Sequence, residues 1–158
     1  MILPGGNPVV ATAPSGDASA LIANTAFVTN GVGAAVSALR VRLFDYQFVI
    51  SGGGNVLTTG NKGWLHVPFA CNITAWRLLV NPSGTLTIDI LRGNNTFPTA
   101  SIVGSGTKPN VSGAVLNQAA PSGWTSTALV ADDWIAFNVT GTIASVTQAT
   151  IVLTCAAA

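Results

Sequence analysis

Trp64-Leu-His-Val-Pro-Phe-Ala-Cys-Asn-Ile-Thr-Ala-Trp-Arg-Leu-Leu-Val-Asn-Pro-Ser-Gly-Thr-Leu-Thr-Ile-Asp-Ile-Leu91 decides the fold class, because it holds three strand-like runs and the turn signals between them. From Leu86 onward the pattern has a period of two. Leu86, Ile88 and Ile90 fall on one face and Thr85, Thr87 and Asp89 on the other, as a half-buried antiparallel strand requires. Asn81-Pro82-Ser83-Gly84 places proline and glycine where a type I turn favours them, so the sequence predicts a reversal that pairs Thr74–Val80 with Leu86–Leu91.

Working outward, the same alternation recurs. Phe44, Tyr46, Phe48 and Ile50 form one dry face, Ile135, Phe137 and Val139 a second, and Ala149, Ile151, Leu153 and Cys155 a third. With Trp64–Ala70, Ile73–Val80, Leu86–Leu91, Ser101–Gly104 and Ser126–Val130, about eight strands result, separated by Gly, Pro and Asn. The expected fold is mainly β: an antiparallel, jelly-roll-like β-sandwich over residues 43–158. Thr99–Gly123 carries Gly104, Gly106, Pro109, Gly113 and Pro121 and reads as mainly loop, the kind of segment where binding surfaces sit.

Ahead of the β region the character changes. Residues 1–16 contain Pro4, Pro8 and Pro14 with no periodicity, and read as an extended arm without a core of its own. Residues 17–42 read as a helical segment. Asp17 or Ser19 supplies a capping oxygen, and Leu21, Thr25, Val28, Val32, Ala35 and Leu39 recur at steps of 4 and 3, the spacing of a seam facing a partner helix. Gly31 and Gly33 weaken that helix and open a break at Asn30-Gly31. The same stripe also suits packing on the chain's own β domain.

Composition narrows the function classes. Only 6 Lys and Arg face 5 Asp in 158 residues, with no Glu, and the charged fraction is 7% against about a quarter in ordinary globular chains. A chain this sparsely charged, with no basic stripe, is a poor partner for nucleic acid. It is also poorly protected against association, which points to surface buried against copies of itself. Every apolar run breaks before the roughly 18 residues a bilayer span needs, so no membrane insertion is expected. The amino terminus lacks the basic start and apolar middle of a signal peptide, so synthesis in the cytosol is expected. In that setting Cys71 and Cys155, the only two cysteines, read as free core thiols, adjacent if the last strand lies beside the one that starts near Ile73.

Catalytic chemistry finds little support in the residues. His66, the single histidine, has no acid near it in sequence and reads as a strand-surface residue. Asp132 and Asp133 are adjacent, point to opposite faces and make the turn before Trp134, an arrangement unsuited to paired carboxylate catalysis. Gly52-Gly53-Gly54 lacks the Lys-Ser or Lys-Thr of a phosphate loop. Neither calcium-loop spacing nor a zinc motif is present, so no metal or cofactor is expected. Of the four tryptophans, Trp76 and Trp134 lie inside strand runs and read as core or interface. Trp64 and Trp124 follow Gly-containing turns and are the exposed candidates for stacking on a sugar, and Asn94 and Asn95 form a polar loop able to hydrogen-bond one.

Gly16-Asp17-Ala18-Ser19-Ala20-Leu21-Ile22-Ala23-Asn24-Thr25-Ala26-Phe27-Val28 resembles the G-D-x-S-x-x-I-A-x-T-A-F-V motif of tail-fibre and related virion fibre proteins of tailed bacteriophages. A second resemblance covers roughly residues 47–154. There Gly52-Gly53-Gly54, Thr59-Gly60-Asn61-Lys62-Gly63-Trp64, Val67-Pro68-Phe69, Ile73-Thr74-Ala75-Trp76, Phe97-Pro98, Lys108-Pro109 and Gly123-Trp124 are similar in order and spacing to a small β domain at the ends of phage fibre proteins. The resemblance implies a homotrimeric, non-enzymatic virion component assembled in the host cytoplasm. In it the seam Leu21 to Leu39 joins three chains, and the arm, with Ile2, Leu3, Pro4, Pro8, Val9 and Val10, anchors to a capsid or tail protein. The β domain would then meet a host-surface glycan. The chain lacks the long shaft that usually separates the two motifs, which favours a head fibre, short tail appendage or decoration spike. A capsid decoration or cement protein without receptor binding is the alternative.

Overall fold

The computed structural model describes residues 42–158, and Arg42–Ala158 forms one compact unit. The extended arm and the helical seam fall outside the described residues. The described residues contain no helix. They form β1 Leu43–Ser51, β2 Gly60–Val67, β3 Cys71–Asn94, β4 Ala100–Ser101, β5 Asn110–Ala119, β6 Ala128–Leu129, β7 Asp133–Ala144 and β8 Gln148–Ala157. All belong to one curled antiparallel sheet with the order β1-β8-β3-β7-β2, and β4, β5 and β6 also pair with β3.

The expected reversal at Asn81–Gly84 does not occur. β3 runs straight through it as one strand of 24 residues. Its first half, Cys71–Asn81, pairs with β8, and its second half, Thr85–Asn94, pairs with β7. Residues 82–84 lie opposite the short connection Ser145–Thr147, where one partner strand has ended and the next has not begun. Pro82, which has no N–H to donate, therefore sits where the ladder needs none. Here the backbones also crowd: a Cβ on Gly84 would lie 2.1 Å from the carbonyl oxygen of Ala144. Thr147 fastens the spot, donating from both its amide and its hydroxyl to the Asn81 carbonyl at 3.0 Å. Asn-Pro-Ser-Gly marks a corner in a strand rather than a change of direction.

Three ribbons thus share one corner: β1 leading to β2, β3, and β7 leading to β8. The curl brings inner faces together, and Phe48 of β1 stacks on Phe137 of β7 with centroids 4.9 Å apart. The core follows the alternation: Ile73, Leu78 and Val80 from one half, Leu86, Ile88 and Ile90 from the other, with Ile135, Val139, Ile151 and Leu153, are all buried. At about 25 cal/mol per Å² of apolar area, this burial is the main term stabilising the unit.

Three further expectations change. Within Thr99–Gly123 lies β5, a strand of 10 residues, which pairs with both halves of β3 and bulges at Ser112–Gly113. The glycine and polar residues that suggested loop are those of a bulged edge strand. Asp89, expected on the wet face, is only 8% exposed. The segment after β4 covers it, with the Ser101 hydroxyl donating to its carboxylate at 2.7 Å and Lys108 Nζ at 3.5 Å. The strands expected at Ser101–Gly104 and Ser126–Val130 shrink to the two-residue β4 and β6.

Cys71 and Cys155 are free and buried, and Ile73 stands opposite Cys155 in the β3–β8 register. The Tyr46 hydroxyl is buried beside them without a hydrogen-bond partner. Burial first, then the neighbouring thiols, pushes the Tyr46 phenol up to about 12. Burial likewise raises both thiols above their ordinary value.

Candidate functional site

On the outer side of the second half, the pleat of β2 turns Trp64 and His66 outward while Val67 points to the core. Across the ladder Trp64 stands opposite Ala136, and His66 opposite Trp134. Gly93, at the end of β3, stands on the other side of Trp134. Its missing side chain has a definite use: a Cβ there would lie 2.5 Å from the Thr96 carbonyl oxygen and 2.8 Å from that of Phe97. Loop 95–98 can therefore fold back across the strand. That fold-back sets Phe97 against Trp64, edge to face, with centroids 5.6 Å apart.

The result is a surface cavity of about 240 Å³ lined by Trp64, Asn95, Thr96, Phe97, Pro98 and Trp134. Trp64 is 52% exposed and Phe97 57%, high values for rings that usually seek cover. His66 continues the row, its ring 5.2 Å from that of Trp134, and its Nε2 lies 3.3 Å from Oδ1 of the exposed Asp132. No acid lies near His66 along the chain; the fold supplies one from 66 positions away.

The ground beneath is fixed by polar contacts. Asp133 is fully buried and its two oxygens are occupied. Arg92 Nε donates to Oδ2 at 2.6 Å, the Val130 amide donates to Oδ2 at 2.8 Å, and Asn94 Nδ2 donates to Oδ1 at 3.0 Å. Charge-assisted bonds of this kind are the strong ones. The Asn95 amide donates to the Asp132 carbonyl at 3.1 Å, tying the loop to the turn before β7. Asn95 and Asp132 both take positive φ, 45° and 67°, a conformation these two residue types tolerate better than most.

Of the sequence candidates, Trp64 and Asn95 meet in this cavity. Asn94 serves Asp133 instead. Trp124 lies elsewhere, half-buried against the core, its Nε1 donating to the Thr107 carbonyl at 2.8 Å. Trp134, expected in the core or an interface, is half-buried and lines the cavity. Phe97, quoted only as part of the second resemblance, was not among the site candidates; an aromatic directly after the polar run Asn94-Asn95-Thr96 was the available signal.

Chemically the face offers flat apolar rings, an amide and hydroxyls. Asp133 is locked by its partners, whereas the side chain of Asp132 beside it is exposed and touches only His66 among the described residues. Among the described residues no group of three or more His, Cys, Asp or Glu side chains gathers as a metal site. A second, larger groove of about 750 Å³ lies just past Val67 of β2, around Leu43, Phe44, Tyr46, Pro68 and Phe69. No family model, no curated protein and no solved structure matches the chain.

Proposed function

We propose that the chain is a short, homotrimeric fibre or spike of a tailed-bacteriophage virion, held by its N-terminal arm on a capsid or tail protein and presenting its β domain to a host-surface glycan. The curled sheet is taken as a jelly-roll-like sandwich, whose outer pleat is free to carry the binding residues. The observation that carries the reading is the exposed pair Trp64 and Phe97, held beside Asn95 and Trp134 by a loop that folds over Gly93. Aromatic faces stack on the C–H faces of sugar rings while amides and hydroxyls meet their hydroxyl groups. A shallow site of this size gives weak single contacts, and threefold repetition turns weak contacts into avidity. The low charge of the chain supports self-association in the same way.

Light scattering on gel-filtered protein tests the assembly, with three copies expected and a monomer at micromolar concentration overturning it. Adsorption tests the role: particles without the protein should attach poorly to their host. A capsid decoration protein is the second reading, favoured by a different surface. Val49, Leu79 and Leu116, each about half exposed, line up through Thr150 across β1, β8, β3 and β5. Particles that attach normally but break easily would select it.

A further inference from the structure

Resting on the glycan reading, we infer that the Trp64–Phe97–Trp134 face takes a neutral sugar chain and turns away anionic ones. No Lys or Arg lines the cavity, and the cations nearest to it in sequence are engaged. Arg92 holds Asp133 and the Ala128 carbonyl. Lys62, two residues before Trp64, bends back with its Nζ at 2.9 Å from the Thr58 hydroxyl and 3.3 Å from the Thr59 carbonyl. Lys108 is committed to Asp89 and to the Gly104 carbonyl.

Against these stands one exposed negative group at the rim. Asp132 has a side chain 75% exposed, and its backbone is joined to Asn95 of the cavity. A uronate, sialate or phosphate-bearing sugar seated on Trp64 would find no cation in the lining and a carboxylate within screened Coulomb reach. A neutral hexose chain needs only what is present: ring faces to stack on, the Asn95 amide as donor and acceptor, and the Thr96 hydroxyl. His66 Nε2 shares this rim, 3.3 Å from Oδ1 of Asp132.

The test uses the full chain and its own tryptophan fluorescence, titrated at pH 7.5 and low salt with neutral probes, dextran and mannan oligosaccharides, and with anionic ones, polygalacturonate and polysialic acid. Neutral probes are expected to bind and to lose binding in Trp64→Ala. Asp132→Asn, which keeps a residue tolerant of positive φ, should raise the ratio of anionic to neutral affinity about threefold, and Asp132→Asn with Thr96→Lys about tenfold, both shrinking in added salt. Anionic probes binding the wild type more tightly than neutral ones would overturn the charge inference and leave the glycan reading standing. A wild type that binds neither class, with circular dichroism confirming the fold, would remove the glycan reading itself. An unchanged ratio in both variants would also overturn the inference, because Asp132 would then have no part in selection.

Discussion

The two halves of the curled sheet share their strands yet treat their outer faces differently. Around the first half, built from β1, β8 and the start of β3, the outer face carries the aliphatic row Val49, Leu79 and Leu116. Its buried end holds the phenol of Tyr46 and the free thiols of Cys71 and Cys155. Around the second half, built from β2, β7 and the end of β3, the outer face carries aromatic rings and rests on the buried Arg92–Asp133 pair. Both halves obtain their core from the same alternation. What differs is the residue placed on the outward beat and whether a polar contact holds it in one geometry.

The strongest way to break that contrast is to remove the pair. Asp133→Ala leaves Arg92 without its carboxylate and strips Asn94 and the Val130 amide of their acceptor, so a loss of about 3–5 kcal/mol is expected, read as a lower urea midpoint. Next is the loop. Gly93→Val drives a side chain into the Thr96 and Phe97 carbonyls, an overpacking expected to cost about 1–3 kcal/mol. It should also separate Phe97 from Trp64, seen as a change in near-ultraviolet circular dichroism. Trp64→Ala sharpens the comparison by sparing the fold: with the ring half exposed, stability should move by less than about 1 kcal/mol, while glycan affinity falls about tenfold or more. A stability loss far above that would make Trp64 a packing residue.

The first half is probed by alkali. Its phenol and two thiols have raised pKa values because burial favours their neutral forms. The folded state thus holds protons that the unfolded chain releases near the ordinary values of 9.0 for the thiols and 10.0 for the phenol. This contribution is complete below about pH 9 and is lost as pH rises toward 12. Urea midpoints measured from pH 8 to pH 11 should fall, and Tyr46→Phe should flatten the part above pH 10. An identical slope in Tyr46→Phe would count against the phenol. The smallest effect is expected on the aliphatic row. Leu79→Thr should leave stability within about 0.5 kcal/mol, as surface changes usually do, while altering any association through that face in light scattering.

Much of this was legible in the sequence. The alternation of Phe44 to Ile50, Ile135 to Val139 and Ala149 to Cys155 gave the strands and their buried faces, because period two is a local property of the chain. The corner was not legible. Asn81-Pro82-Ser83-Gly84 reports that the ladder is interrupted, and the same residues serve a reversal or a bend; which one forms depends on β7 and β8, supplied more than 50 residues later. β5 was hidden for a related reason, since Gly113 breaks a regular strand and is equally at home in a bulge. At the site, Trp64 and Asn95 were found by their polar neighbours. Trp134 was read only as core or interface and Phe97 was not among the site candidates, because their meeting depends on Gly93 giving way to the loop, a long-range effect.

Because β3 and the β7–β8 ribbon each pass through the shared corner, neither half owns a complete set of strands. Opening one end removes the pairing edge of the other, so the slowest backbone amides of both halves should exchange with solvent together, in a single all-or-none event. Hydrogen bonds joining partners this distant in sequence also close large loops before any reward arrives, which places refolding on the millisecond-to-second scale of β-rich chains rather than the microseconds of helical ones.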